Sequence, residues 1–183
     1  MLDGAELAGS LGIRVQAKGA GHLGYARHVP CTRFLADSSL EYLARRLRFL
    51  GFDVETLPGV PLQGLFEAAR RDGRTVITPS ARHPRRFARV PAVVVEREDV
   101  AGAVRAVAAA HETAGPPFSR CALCNHPLET LPASAAAGSV PGEVMAGHEE
   151  LRHCAGCGKW YWEGSHVDRV RAWFEQVLGP PAG

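Results

Sequence analysis

The stretch "RFLADSSLEYLARRLRFLGFDVETL", Arg33 to Leu57, decides the fold. It opens with a short apolar run that ends in an acid, Asp37. Leu40, Leu43, Leu47 and Leu50 then recur at helical spacing, and Gly51 stops the pattern. A second short run, "FDVETL", follows at once. Strand, helix and strand in this order predict two parallel strands, because the helix carries the chain back to the edge it started from.

Downstream the alternation continues. A helix is predicted over "LQGLFEAARRDG", a strand over "RTVITP", a strand over "AVVVE" and a helix over "DVAGAVRAVAAAHET", with the basic segment "SARHPRRFARV" between the two strands. The pattern predicts an α/β fold with a mainly parallel sheet, whose strand-to-helix turns gather on one edge. Asp37, Thr78 to His83, and Glu96, Glu98 and Asp99 fall there. Carboxylates from several strand ends suit Mg²⁺ or Mn²⁺, which bind phosphate oxygens and activate water for in-line hydrolysis. Asp37 and Asp99 equally suit a plain role as helix caps, since each stands just before a predicted helix. Arg82, His83, Arg85, Arg86 and Arg89 share one segment at this edge, and Arg45, Arg46 and Arg48 follow Asp37. Such guanidiniums grip phosphates without reading bases, and a solvated basic face has the same composition.

Four of the five cysteines pair off as "CALC", Cys121 and Cys124, and "CAGC", Cys154 and Cys157. Two such turns supply four thiolates for one tetrahedral Zn²⁺, a closed shell with no place for water and therefore a structural site. "LPASAAAGSVPGE" between them reads as a loop, and "AGPPFSR", Ala114 to Arg120, as the linker that leads in. His126 and His153 lie beside the ligands but have no cysteine to replace. Cys31 stands alone and reads as a small buried residue. After the second pair, Trp160, Tyr161 and Trp162 alternate along a strand, so that one face packs on the preceding domain and the other is open to a base. His166 suits either a phosphate contact or the cap of a terminal helix that runs through Trp173.

With 183 residues, 46% hydrophobic and 22% charged, the chain can bury one sizeable core and a small satellite. No run approaches the roughly 18 apolar residues of a membrane span, and "MLDGAELAGSLGIRVQ" holds no sustained apolar segment, so a cytoplasmic protein is expected. The net charge of +2 is too small to argue for nucleic acid by itself. Only its placement does.

"FLADSSLEYLARRLRFLGFDV", with "PFSRCALCNHPLE" and "LRHCAGCGKWYWEGSHVDRVR" far downstream, resembles the Mut-7 C-terminal RNase family. That resemblance implies a PIN-like three-layer α/β/α nuclease domain followed by a zinc ribbon. It divides the chain into an extension over 1–32, a nuclease-type domain over 33–115, and ribbon plus terminal helix over 116–183. It implies RNA as the partner, Zn²⁺ in the ribbon, and Asp37 and Asp99 as the acids of a Mg²⁺ or Mn²⁺ centre. Members of the family follow the third strand with Thr-Arg-Asp, where this chain has "TPSARH". The expected function is RNA processing with a degenerate centre. The alternatives are a catalytically inactive RNA- or ribosome-binding protein, and a zinc-ribbon module that docks a protein.

Overall fold

The computed structural model describes residues 32–179; Cys31 and the expected extension lie outside them. The first half runs β1 (Arg33–Ala36), α1 (Glu41–Phe49), β2 (Asp53–Thr56), α2 (Leu62–Asp72), β3 (Thr75–Thr78), α3 (His83–Arg86), β4 (Ala92–Val94) and α4 (Val100–Ala110). The four strands are parallel in the order β2-β1-β3-β4. Alternate residues of each strand face opposite ways, which builds two cores. Phe34, Ala36, Val54, Ile77 and Val93 pack with α1 and α4, whereas Leu35, Val76 and Ala92 pack with α2. The sheet is therefore covered on both faces, as its apolar strands require.

α1 ends because Gly51 turns the chain at φ 92°. A Cβ there would also stand 2.1 Å from the carbonyl oxygen of Gly115, so glycine serves both the turn and the linker that crosses it. From β1 the chain moves outward to β2, then crosses back to β3 on the other side. The crevice outside the ends of β1 and β3 is the switch point of this topology, where open α/β sheets bind ligands.

The second half holds β5 (Glu129–Pro132), α5 (Gly142–Ala146), β6 (Glu150–His153), β7 (Trp160–Tyr161) and α6 (Ser165–Leu178). β5, β6 and β7 form an antiparallel sheet. "LPASAAAGSVPGE" differs from the expected plain loop. It folds into a 3₁₀ turn over Ala133–Ala136 and then α5, because Ala133 and Ala136 bury against Leu151 and Trp160 to give the ribbon a core of its own. α6 leaves the ribbon and places Val170, Phe174 and Val177 in the core beside α4. Among the described residues no helix is long and apolar enough to cross a membrane.

Candidate metal centre and nucleic-acid interface

Both cysteine turns close alike. The amide of Asn125 donates to the carbonyl of Cys121 at 2.9 Å, and that of Gly158 to the carbonyl of Cys154 at 2.8 Å. Asn125 (φ 68°) and Gly158 (φ 72°) adopt the left-handed conformation that tightens each turn. The Sγ atoms of Cys121 and Cys157 lie 3.6 Å apart, those of Cys124 and Cys154 3.4 Å, and all four fall within 4.8 Å of one another. A tetrahedron with Zn–S bonds of about 2.3 Å has edges of about 3.8 Å, so the set fits Zn²⁺. Among the described residues this is the only group of three or more side chains placed to share a metal.

The electrostatics fit a cation as well. Burial pushes the Cys121 thiol up, but the hydroxyl of Tyr161 at 3.0 Å and the amides of Leu123 and Cys124 outweigh it and bring its pKa to about 7. Cys154 is pushed up to about 12 by burial and by the neighbouring thiols. Thiols packed this closely ionise together only around a positive ion. His153 stacks on Trp160 with ring centroids 4.5 Å apart, and His126 lies across Gly156 of the second turn, so neither histidine joins the set.

The first cysteine turn docks on the sheet. Asn125 accepts from the amide of Val54 at 3.0 Å and donates to Asp53 at 2.8 Å. Arg120 and Arg74 reach the same carboxylate, at 3.4 and 2.7 Å. Arg48 was expected among the phosphate-binding residues, and here the structure corrects the sequence reading. Its side chain is 1% exposed and donates to the carbonyls of Val54, Ala122 and Leu123 at 2.7, 2.8 and 3.1 Å. Arg48 ties α1 and β2 to the ribbon and presents nothing to solvent.

At the sheet edge Asp37 accepts from the amide of Ser39 at 2.8 Å, and Asp99 from the amide of Gly102 at 2.7 Å. A Cβ on Gly102 would lie 2.0 Å from the Asp99 carboxylate, so glycine there admits the acid onto the first turn of α4. Arg97 from the loop after β4 donates to the hydroxyl of Ser39 at 3.0 Å, which brings a cation beside the Asp37 turn. After β3, Ser80 bonds the Nδ1 of His83 at 2.9 Å, and Arg82, Arg85 and Arg86 are exposed on and before α3. The side chains for a Mg²⁺ or Mn²⁺ centre are thus two acids engaged as helix caps, with no cluster of three among the described residues. They do not fit the multi-carboxylate set that such ions use.

A profile of the Mut7-C RNAse domain matches residues 32–174, from the residue before β1 into α6 and across both sheets. The chain belongs to the Mut7-C RNAse domain family. No curated protein and no solved structure matches it. The Mut7-C match takes in all four clustered cysteines, both capping acids and the arginines on and before α3.

In this Mut7-C chain α1, the ribbon and the start of α6 also enclose a cleft of about 800 Å³. Arg45 and His166 line it, whereas Arg82, Arg85, Arg86, Asp37 and Asp99 do not. The expected RNA-binding residues are therefore split between two places. Of the three consecutive aromatics, Trp160 packs in the ribbon's own core rather than on the first domain, Tyr161 bonds Cys121, and Trp162 stays exposed on the cleft. Tyr42 and Lys159 line it too and escaped the sequence reading, because only the docking of ribbon on α1 brings them together. Asn125 had a legible signal. It follows "CALC" as Gly158 follows "CAGC".

Proposed function

We propose that this Mut7-C protein binds RNA through phosphate contacts and that its nuclease centre is reduced, with cleavage slow or absent. The observation that carries the reading is at the end of β3. Where the family pattern expects an acid, the chain places Arg82 and then α3, with Arg82, Arg85 and Arg86 exposed. Three guanidiniums in one short segment attract and orient a polyanion, and they have no group with which to hold a divalent cation. Asp37 and Asp99 have each turned one carboxylate oxygen to a backbone amide, Asp37 at the 3₁₀ turn Ser38–Leu40 that leads into α1 and Asp99 at the start of α4. His83, held by Ser80 at the start of α3, adds a donor to the same surface.

The test is binding of a labelled single-stranded RNA across a range of salt, beside a cleavage assay with Mn²⁺. The unmodified protein is expected to bind. Replacing Arg82, Arg85 and Arg86 with Gln should weaken binding on every sequence and flatten the salt dependence by about 0.7 for each lost phosphate contact. Asp37→Asn keeps a capping side chain, so stability should hold and any residual cleavage should not change. Strong Mn²⁺-dependent cleavage that Asp37→Asn abolishes would overturn the reduced centre and make the protein a working nuclease.

A further inference from the structure

We propose that the cleft between α1, the ribbon and the start of α6 is a stacking site for single-stranded RNA. In it Tyr42 and Trp162 receive bases, and Arg45, Lys159 and His166 hold the backbone. The proposal rests on the RNA-binding reading above and gives the strand a second place of contact, away from α3.

The distribution of exposed apolar side chains argues first. Among the described residues, five large hydrophobic side chains stand exposed, and three of them, Tyr42, Leu123 and Trp162, line this one cleft. Scattered exposed apolar residues are ordinary, whereas a cluster in a concavity marks a binding surface. Its volume of about 800 Å³ admits a short piece of a polymer chain. The rings are also held in place. Arg46 lies over Tyr42 at 4.9 Å and over Trp173 of α6 at 4.5 Å, which ties the Tyr42 ring of α1 to α6 through one guanidinium. The Trp162 ring lies against Gly164, where a Cβ would stand 3.7 Å from it, at the turn that leads into α6. Rings pre-set in this way lose little freedom when a base lands on them.

Charge then chooses the occupant. Arg45, Lys159 and His166 are exposed around the rings. Of the two acids that line the cleft, Glu163 is neutralised by Arg171 at 2.7 Å, which leaves Glu150, and Arg45 lies 3.3 Å from Glu41 outside the cleft lining. An apolar peptide would gain nothing from that cationic surround. An acidic peptide would match the charge and leave two flat rings without a partner. A single nucleic-acid strand satisfies both, because each of its units joins a phosphate to a planar face.

The experiment is binding of a fluorescent oligouridine of about 12 nucleotides to the full chain, followed by anisotropy and by tryptophan quenching. Trp162→Ala should weaken binding about tenfold, and Trp162→Phe, which keeps a flat ring, should recover most of it. Arg45→Gln with Lys159→Gln should lower the slope of log affinity against log salt by about 1.4. These losses should add to those of the α3 variant, since the two surfaces are separate. If the unmodified protein binds no RNA, the reading of the preceding subsection fails and this one with it. If it binds, and only the α3 substitutions weaken it, the cleft proposal alone is overturned, and the cleft becomes a surface for a protein partner.

Discussion

Arg48 shows how far residue type alone misleads. Beside Arg45 and Arg46 it looks like one more surface cation, yet its guanidinium meets the Glu41 carboxylate at 3.0 Å and Thr56 Oγ1 at 3.2 Å, besides three backbone carbonyls. Helical phase held the clue. Position 48 lies one turn beyond the buried Ala44, on the side that faces β2, whereas Arg45 lies one turn beyond Glu41 on the half-exposed side. Removing Arg48 leaves several buried acceptors without a donor. Arg48→Met should therefore cost about 3 kcal/mol or more in urea unfolding, and Arg48→Lys should recover only part, because a point charge cannot reach acceptors on three elements. The fraction that remains folded should bind RNA as before. A loss of RNA affinity with stability unchanged would return Arg48 to the binding surface.

At the scale of elements, β2 is the strand at risk. It lies at the edge of the parallel sheet, and an open edge offers unpaired amides and carbonyls to other chains. The first cysteine turn covers it, with Asn125 on the amide of Val54 and Arg48 on its carbonyl. The metal centre is thereby coupled to the sheet. Purified protein should carry about one zinc per chain, and its removal by a chelator should speed hydrogen exchange at the Val54 amide well before the amides of β3 respond. Equal protection at Val54 with and without zinc would show that the turn holds its shape unaided. The cysteine spacing made the metal centre legible, and the hydrophobic periods gave the strands of the first half and its helices other than α3. The cover on β2 was not legible, because Asn125 and Val54 are distant in sequence and nothing local in either marks the pairing.

For the whole molecule, order along the chain and order in space part company. α6 follows the ribbon in sequence and completes the core of the first sheet, while the linker is pinned rather than loose. Phe118 donates its amide to the carbonyl of Phe49 at 2.7 Å, adopts φ 60°, and lies under Arg171 of α6 at 5.2 Å. A bulky residue keeps such a backbone only where its surroundings fix it on several sides. Sheet and ribbon should then unfold together, and acid should act on that single transition at two points. His111 ends α4 with its Nδ1 3.1 Å from Thr32 Oγ1 and its Nε2 buried without a partner among the described residues. Burial lowers its pKa below the ordinary 6.5, so the folded state takes up a proton later than the unfolded one. Its share of stability is complete above about pH 6.5 and is lost as pH falls toward the folded value. Asp53 joins sheet to ribbon. Burial pushes its carboxyl up, but Arg74 and Asn125, with Arg120, outweigh that and hold its pKa below 3.8. Its contribution is present above the ordinary carboxylate value and disappears as pH drops through the lowered one. Melting temperature should thus decline in two stages on acidification, the first removed by His111→Phe and the second by Asp53→Asn. Tryptophan fluorescence of a Trp173→Phe variant, which leaves only the ribbon's Trp160 and Trp162, and far-UV circular dichroism should give one midpoint at neutral pH and separate only in the second stage, when the Asp53 contact is gone. Separate midpoints already at neutral pH would show that the ribbon is an independent module and that the contacts of Asn125 and Arg48 do not couple it to the sheet.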